Sequence, residues 1–191
     1  MGKLIYVANV SLDGYIEDAQ GSFEWTAPAD EVFTFITDLV RPVGAYLYGR
    51  RLYETMAVWE TDPTLATESE LSTEFANVWR TADKIVYSTT LGDVSTANAR
   101  LERRFDPDAV RDLKSSAAGG LTVGGATLEA CAFDAGLVDE CHLFVHPVLV
   151  GGGKSAFPSD TRVQLVLQDK RRFDNGVVYL GYDVSGEGSG R

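Results

Sequence analysis

The chain has 191 residues, with 17 Lys+Arg against 28 Asp+Glu and a formal net charge of −11 at pH 7. That length fits one domain with a sizeable core, and 45% hydrophobic with 24% charged residues excludes a disordered chain. The acidic excess argues against a broad phosphate-neutralising surface, and so against nucleic acid as a partner.

The first apolar run, within residues 3–10 (KLIYVANV), is too short for a signal segment or a membrane span. With 45–48 (AYLY), 84–88 (KIVYS) and 121–124 (LTVG), it reads as a strand buried on both faces. Helical spacing follows each such run. Ala29 to Val40 places Val32, Phe33, Phe35, Ile36, Leu39 and Val40 on one side, with Pro28 in the first turn and Pro42 behind the end. Leu52–Val58, Glu68–Trp79, Pro107–Ser116 and Ala126–Ala135 are further predicted helices, the last stopped by Gly136. Beyond Gly136, residues 140–150, 162–168 and 176–184 are strand-like with no helix between them, which predicts antiparallel strands closing a mostly parallel sheet. A single α/β domain over residues 1–184 with a flexible tail at 185–191 is expected. Two cysteines, Cys131 and Cys141, form no disulfide framework and suit a reduced, cytoplasmic setting.

Two strand-to-helix junctions share a design, Gly49-Arg50-Arg51 and Gly124-Gly125. Glycine there lets a ligand approach the backbone, and the free N–H groups that open a helix favour an anion. Two junctions could grip one diphosphate; a tight turn explains either glycine alone equally well. The run Gly151-Gly152-Gly153-Lys154-Ser155 imitates the end of a phosphate-binding loop, but Val148 stands where the first glycine is required and no helix follows. Ser11-Leu12-Asp13-Gly14 follows the first strand, where an Asp-Gly turn and a ligand-contacting loop are both admissible.

Taken in order, VANVSLDGYI, WTAPAD, YGRRLYETM, KIVYSTT, LTVGGATL and GLVDECHLFVHPVLVGGGKSAF resemble the dihydrofolate reductase-like superfamily. Within it they look most like stand-alone relatives of the reductase half of the bacterial riboflavin-biosynthesis deaminase-reductase. The resemblance implies a mostly parallel, twisted, eight-stranded sheet flanked by helices, with antiparallel C-terminal strands and NADPH bound across the strand ends. It implies that Gly49, Arg50, Arg51, Ser88 and Thr89 hold the adenosine 2′-phosphate, for which the arginine fork is well suited. The diphosphate is expected at Arg51-Leu52 and at Gly124-Gly125-Ala126-Thr127, and the nicotinamide beside Ala8, Ser11, Gly14 and Tyr15.

The chain departs from the family in two places. Leu52 stands where dihydrofolate reductases carry Thr, and GRRLYETMAVWETDP replaces the substrate-contacting stretch of the riboflavin-pathway enzyme. Trp25, Pro28 and Asp30 fall in the family's Trp-Pro-acid pattern, where the carboxylate anchors the substrate; a favourable first-turn charge worth about 0.3–1 kcal/mol is the other reading. Asp30 and then Asp13 are the candidate catalytic residues, with Trp25, Tyr53 and Thr55 as candidate substrate contacts.

His142 and His146 lie about 13 Å apart if their segment is a strand, so no metal site is expected. Both cysteines are expected as buried thiols, and Trp59, Trp79, Phe33 and Phe35 as core or interface residues. The expected activity is NADPH-dependent hydride transfer to a C=N or C=O bond of a small heterocyclic or carbonyl substrate. Its rival is a non-catalytic NADP(H)-binding sensor or assembly protein of the same fold. Close relatives pair as homodimers, which makes the antiparallel C-terminal strands the expected interface.

Overall fold

The computed structural model describes residues 2–185. The expected tail lies outside these residues except for Ser185, which closes the last strand. Strand β1 (Leu4–Ser11) sits near the middle of an eight-stranded sheet ordered β5-β4-β3-β6-β1-β7-β10-β9. The other parallel strands are β3 (Val43–Gly49), β4 (Asp83–Tyr87), β5 (Ala99–Glu102), β6 (Gly120–Gly124) and β7 (Glu140–His146). Strands β10 (Val178–Ser185) and β9 (Gln164–Arg172) close it antiparallel, as the polarity change after Gly136 predicts. A two-stranded ribbon, β2 (Tyr15–Asp18) with β8 (Gly153–Ser155), stands apart from it.

Helices cover both faces because the central strands are apolar on both. On one face, α1 (Asp30–Val40), α2 (Arg50–Met56) and α5 (Glu70–Thr81) bury Val40, Tyr53, Phe75 and Trp79 against Ile5, Tyr46, Tyr48 and Val86. On the other, α6 (Pro107–Ser116) and α7 (Ala126–Asp134) pack Val110, Leu128, Ala132 and Phe133 against Tyr6, Ala8, Leu47 and Val123. Two short helices, α3 (Val58–Thr61) and α4 (Pro63–Ala66), fill the stretch between α2 and α5.

Local chemistry sets most of the boundaries. The Asp106 carboxylate accepts the Asp108 N–H at 3.0 Å, capping α6 ahead of Pro107 at its first position. Ser69 caps α5 through the Ser72 N–H at 3.0 Å. Gly136, at φ 61°, ends α7, and the Leu137 N–H closes on the Ala132 carbonyl at 2.9 Å. Helix α1 starts at Asp30, capped by Ala29, so Pro28 precedes the helix and does not occupy its first turn.

Candidate active-site cleft

The C-terminal ends of the parallel strands open into a cleft of about 1150 Å³. In parallel α/β sheets these ends carry the strand-to-helix loops, so ligands gather there. Both glycine junctions line this cleft and touch each other. A Cβ on Gly125 would stand 3.1 Å from both Cα and N of Gly49, and Gly125 holds φ +107°. A Cβ on Gly124 would run into Leu52 Cδ2. The glycines therefore bring the starts of α2 and α7 together by backbone contact, beyond what a turn alone requires.

Around this contact the rim is basic. Arg50 donates from Nε to Glu54 at 2.8 Å and from Nη1 to Thr90 Oγ1 at 3.0 Å, which fixes its fork beside the end of β4. Ser88 Oγ accepts the N–H groups of Thr90 and Leu91 at 3.2 and 2.9 Å, so the 88–91 turn is held in shape. Arg103 and Arg104, which follow β5, also line the cleft. Arg103 braces the turn by donating to the Leu91 carbonyl at 2.6 Å. Arg50-Arg51 is thus only half of the cationic rim. Sequence reasoning missed Arg103-Arg104 because β5 is short and polar, although a charged pair just past a strand end repeats the Arg50-Arg51 pattern.

A second cleft group that sequence reasoning missed is Glu129 on α7. It is buried, and one carboxylate oxygen accepts the Gly125 N–H at 2.7 Å. Burial pushes its carboxyl up to about 7, against the opposing pull of that hydrogen bond and of the Lys154 charge. The available signal was one acid among the apolar residues of ATLEACAFD. Lys154 itself pairs with Glu17 at 2.5 Å, and both line the cleft. Asn9 reaches the cleft from β1 with its Oδ1 2.9 Å from His146 Nε2. Burial lowers the His146 pKa, and its ring and that of Trp25 pack in a T shape with centroids 5.6 Å apart.

Ala8, Gly49, Arg50, Arg51, Leu52 and Thr55 line the cleft, as do Ser88, Thr89, Gly124, Gly125, Ala126 and Thr127. Ser11, Gly14, Tyr15, Trp25, Tyr53, Asp13 and Asp30 do not. Ser11 is buried and accepts the Tyr15 N–H at 2.9 Å, closing the turn around Gly14 (φ +92°). Asp13 spends its carboxylate on tying that turn to the loop after β7. It accepts from the N–H groups of Val150 and Gly151 at 3.2 and 2.7 Å, and Ser11 is the main cause of its lowered pKa. Asp30 is exposed at the start of α1. Tyr53 is buried, and its hydroxyl accepts the Ser95 and Thr96 N–H groups at 2.7 and 3.1 Å.

His142 and His146 share β7 and serve separate partners; His142 lies 2.8 Å from Tyr179 Oη and 3.1 Å from Glu140. Cys141 is buried, but Cys131 is exposed on the cleft side of α7, contrary to the expected pair of buried thiols, because α7 turns that position away from the sheet. Trp79 is fully buried, and Phe33, Phe75 and Trp59 pack with ring centroids 4.7 to 5.9 Å apart. Among the described residues, no helix is long and apolar enough to cross a membrane.

Known proteins share this architecture. A protein of Shewanella sp. PV-4 named for riboflavin biosynthesis superposes with a TM-score of 0.76 at 20% identity, covering 96% of this chain and 99% of that one. A pyrimidine reductase-like protein from Corynebacterium diphtheriae gives 0.65 at 14% identity, covering 97% and 93%. A diaminohydroxyphosphoribosylaminopyrimidine deaminase/5-amino-6-(5-phosphoribosylamino)uracil reductase from Thermotoga maritima gives 0.64 at 15%, with 96% of this chain matching 57% of that one. At these identities the superpositions show the fold. In sequence, the uncharacterized protein YyaP of Bacillus subtilis (strain 168) is 26% identical over 185 residues, 96% of each chain. The family model of the RibD C-terminal domain matches residues 2–179, and the chain belongs to that family.

Proposed function

We propose that this protein is an NADPH-dependent reductase that delivers hydride to a C=N or C=O bond of a small heterocyclic or carbonyl substrate. The observation that carries this reading is the backbone contact of Gly49 with Gly125 inside a cleft rimmed by Arg50, Arg51, Arg103 and Arg104. An acidic chain has gathered four guanidinium groups and two glycine-lined helix starts at one place, which is the donor set a phosphorylated dinucleotide needs. The residues fit the cofactor. Arg50 and Arg51, with Ser88 and Thr89, would take the 2′-phosphate, and the amides of Ala126 and Thr127, which follow the Gly125 N–H already given to Glu129, would face the diphosphate. Ala8 offers a small side chain beside the ring.

The cofactor, when bound, supplies the hydride. The chain must then orient the acceptor and furnish a proton. Glu129 is the cleft carboxyl suited to proton donation, because near neutral pH a substantial fraction of it is protonated and it is shielded from bulk water. Glu129 would supply the proton that must accompany the hydride for one double bond to be reduced. Solvent then reprotonates the carboxylate.

Titration of NADPH by fluorescence, followed by cofactor consumption with folates, pterins, flavins and deaminated pyrimidines, tests the proposal. Tight binding with turnover of one class is expected. Binding without consumption would favour a sensor or assembly role. NADH binding as tightly as NADPH would remove the 2′-phosphate assignment. We also propose a homodimer in which a second copy covers edge strand β9, which exposes Val166 and Leu167; a monomer by light scattering would reject it.

A further inference from the structure

The glycine run that imitates a phosphate-binding loop brings a lysine to the cleft by another route. Gly151, Gly152 and Gly153 hold φ of +74°, +146° and +139°. A Cβ on Gly153 would run into the Glu17 carbonyl oxygen and stand 2.6 Å from the Asp18 carbonyl carbon, so only glycine lets β8 lie this close on β2. The next residue, Lys154, is the register partner of Glu17 and pairs with its carboxylate, and both side chains line the cleft. They are 28% and 27% exposed, so the pair is partly withdrawn from water and less screened than a surface pair.

The chain beyond Lys154 is pinned against α7. Tyr6 donates its hydroxyl to the Ala156 carbonyl, and the Ala156 N–H donates to the Gly14 carbonyl at 2.9 Å. The rings of Tyr6, Phe133 and Phe157 pack edge to face with centroids 5.5 to 6.0 Å apart. Phe133 lies about one helical turn beyond Glu129, so the two leave the same face of α7. This packing brings the Lys154 end of the ribbon to the face that carries Glu129, near enough for the Lys154 charge to oppose the effect of burial on that carboxyl. The other titratable groups around α7 are neutral or already paired. On β1 and β7, burial keeps the Tyr6 hydroxyl and the Cys141 thiol protonated. On α6, Lys114 pairs with Asp139 and Arg111 with Asp108. On α2, Arg50 is tied to Glu54, while Arg51 stands at the rim with Arg103 and Arg104. Strands β3 and β6 carry no charged side chain.

We propose that Glu17 and Lys154 are a positioning pair for Glu129: the ribbon presents the ammonium to the buried carboxyl, and the Glu17 carboxylate draws part of that charge away. Lys154 favours the ionised form of Glu129, Glu17 restrains it, and together they set the pH at which the cleft acid gives up its proton. The pairing is a property of the ligand-free chain; its effect on turnover rests on reading Glu129 as the proton donor.

Carbon-13 NMR of the side-chain carboxyls, with the Glu129 signal assigned by its absence in Glu129→Gln, reads that pH in ligand-free protein. The wild-type midpoint is expected at about 7. Lys154→Met should raise it by about one pH unit, Lys154→Arg should leave it near the wild-type value, and Glu17→Gln should lower it by about half a unit. A pair that only latches the ribbon predicts another pattern, because either loss would admit water to Glu129 and move both midpoints down together, toward the ordinary 4.5. An unmoved or lowered midpoint in Lys154→Met, or an unmoved or raised one in Glu17→Gln, overturns the proposal. The pH dependence of NADPH consumption in the same variants separates the two readings. If the carboxyl midpoints move in opposite directions while the turnover profile stays in place, the proton-donor reading falls and the positioning pair stands.

Discussion

Around β7, β10 and the start of β1, polar side chains have protein partners. Lys3 pairs with Glu140, Glu140 with His142, and His142 with Tyr179 at 2.8 Å. Lys114 holds Asp139 at 2.6 Å and the Leu137 carbonyl at 2.7 Å, while Asp139 also takes the Leu4 N–H at 2.7 Å. Within β3 and β6 and along the cleft that opens beyond them, the pattern is looser. Tyr46 and Thr122 keep unpaired hydroxyls, and Glu129 holds its proton up to about pH 7. Arg51 and Arg104 stand at the rim with no carboxylate partner among the described residues. One region spends its polar groups on holding the fold, while the other pairs some, such as Arg50, Ser88 and Arg103, and leaves others, such as Arg51 and Arg104, without a carboxylate partner. That difference locates function more sharply than the abundance of charge does.

Variants in the two regions should therefore separate binding and turnover from stability. Replacing Arg50 and Arg51 together by Ala should have the largest effect, a loss of about 100-fold or more in NADPH affinity by fluorescence with a nearly unchanged melting temperature, since charge-assisted contacts contribute about 1.5–3 kcal/mol each. Affinity that survives would remove the cofactor assignment.

Glu129→Gln should lower kcat about 100-fold while leaving the NADPH affinity within a few-fold. In wild type, turnover should fall as pH rises through about 7, because the donor loses its proton, and the variant should lack that limb. Stability supplies a second readout. The folded carboxyl titrates at about 7, above its ordinary value of 4.5, so its contribution is full below pH 4.5 and is lost as pH rises through 7. Chemical denaturation should therefore show wild type losing on the order of 3 kcal/mol across that window, a slope absent from the Gln variant.

Lys114→Met sharpens the other side of the contrast. It leaves the Leu137 carbonyl without its donor and Asp139 without its cation, and should cost about 2 kcal/mol, read as a fall in melting temperature with NADPH binding intact. Tyr53→Phe should have the smallest effect, about 1 kcal/mol, by releasing the Ser95 and Thr96 amides. A loss of turnover without that loss of stability would return Tyr53 to the substrate pocket.

Sequence patterning locates the elements whose signal is local. β1, α1, α6 and α7 sit within a residue or so of their predicted bounds, because apolar runs, caps and Gly136 mark them directly. β5 and β8 carry no such mark because they are short and polar, and β2 reads only as a short segment, Tyr15-Ile16, after a turn. Each exists through its pairing, β5 with the preceding strand β4 and β2 with β8 far along the chain. Helices α3 and α4 lie in a stretch whose ends the sequence pattern misplaces. The site divides the same way. Gly49, Arg50, Gly124 and Gly125 are legible as junctions, but Lys154 beside Glu17 is a fact of register, which no single segment encodes. Glu129 and Arg104 needed the cleft itself to give them neighbours.

The ribbon of β2 and β8 joins two loops that are remote in sequence, one after β1 and the other after β7. It is held by a few ladder pairs, the Asp13 contacts with Val150 and Gly151, and the Glu17–Lys154 pair, with little apolar burial. Such a unit opens at a fraction of the global unfolding free energy. Its amides should exchange with deuterium together, ahead of those in β1, so the two loops breathe as one body at the mouth of an otherwise rigid sheet.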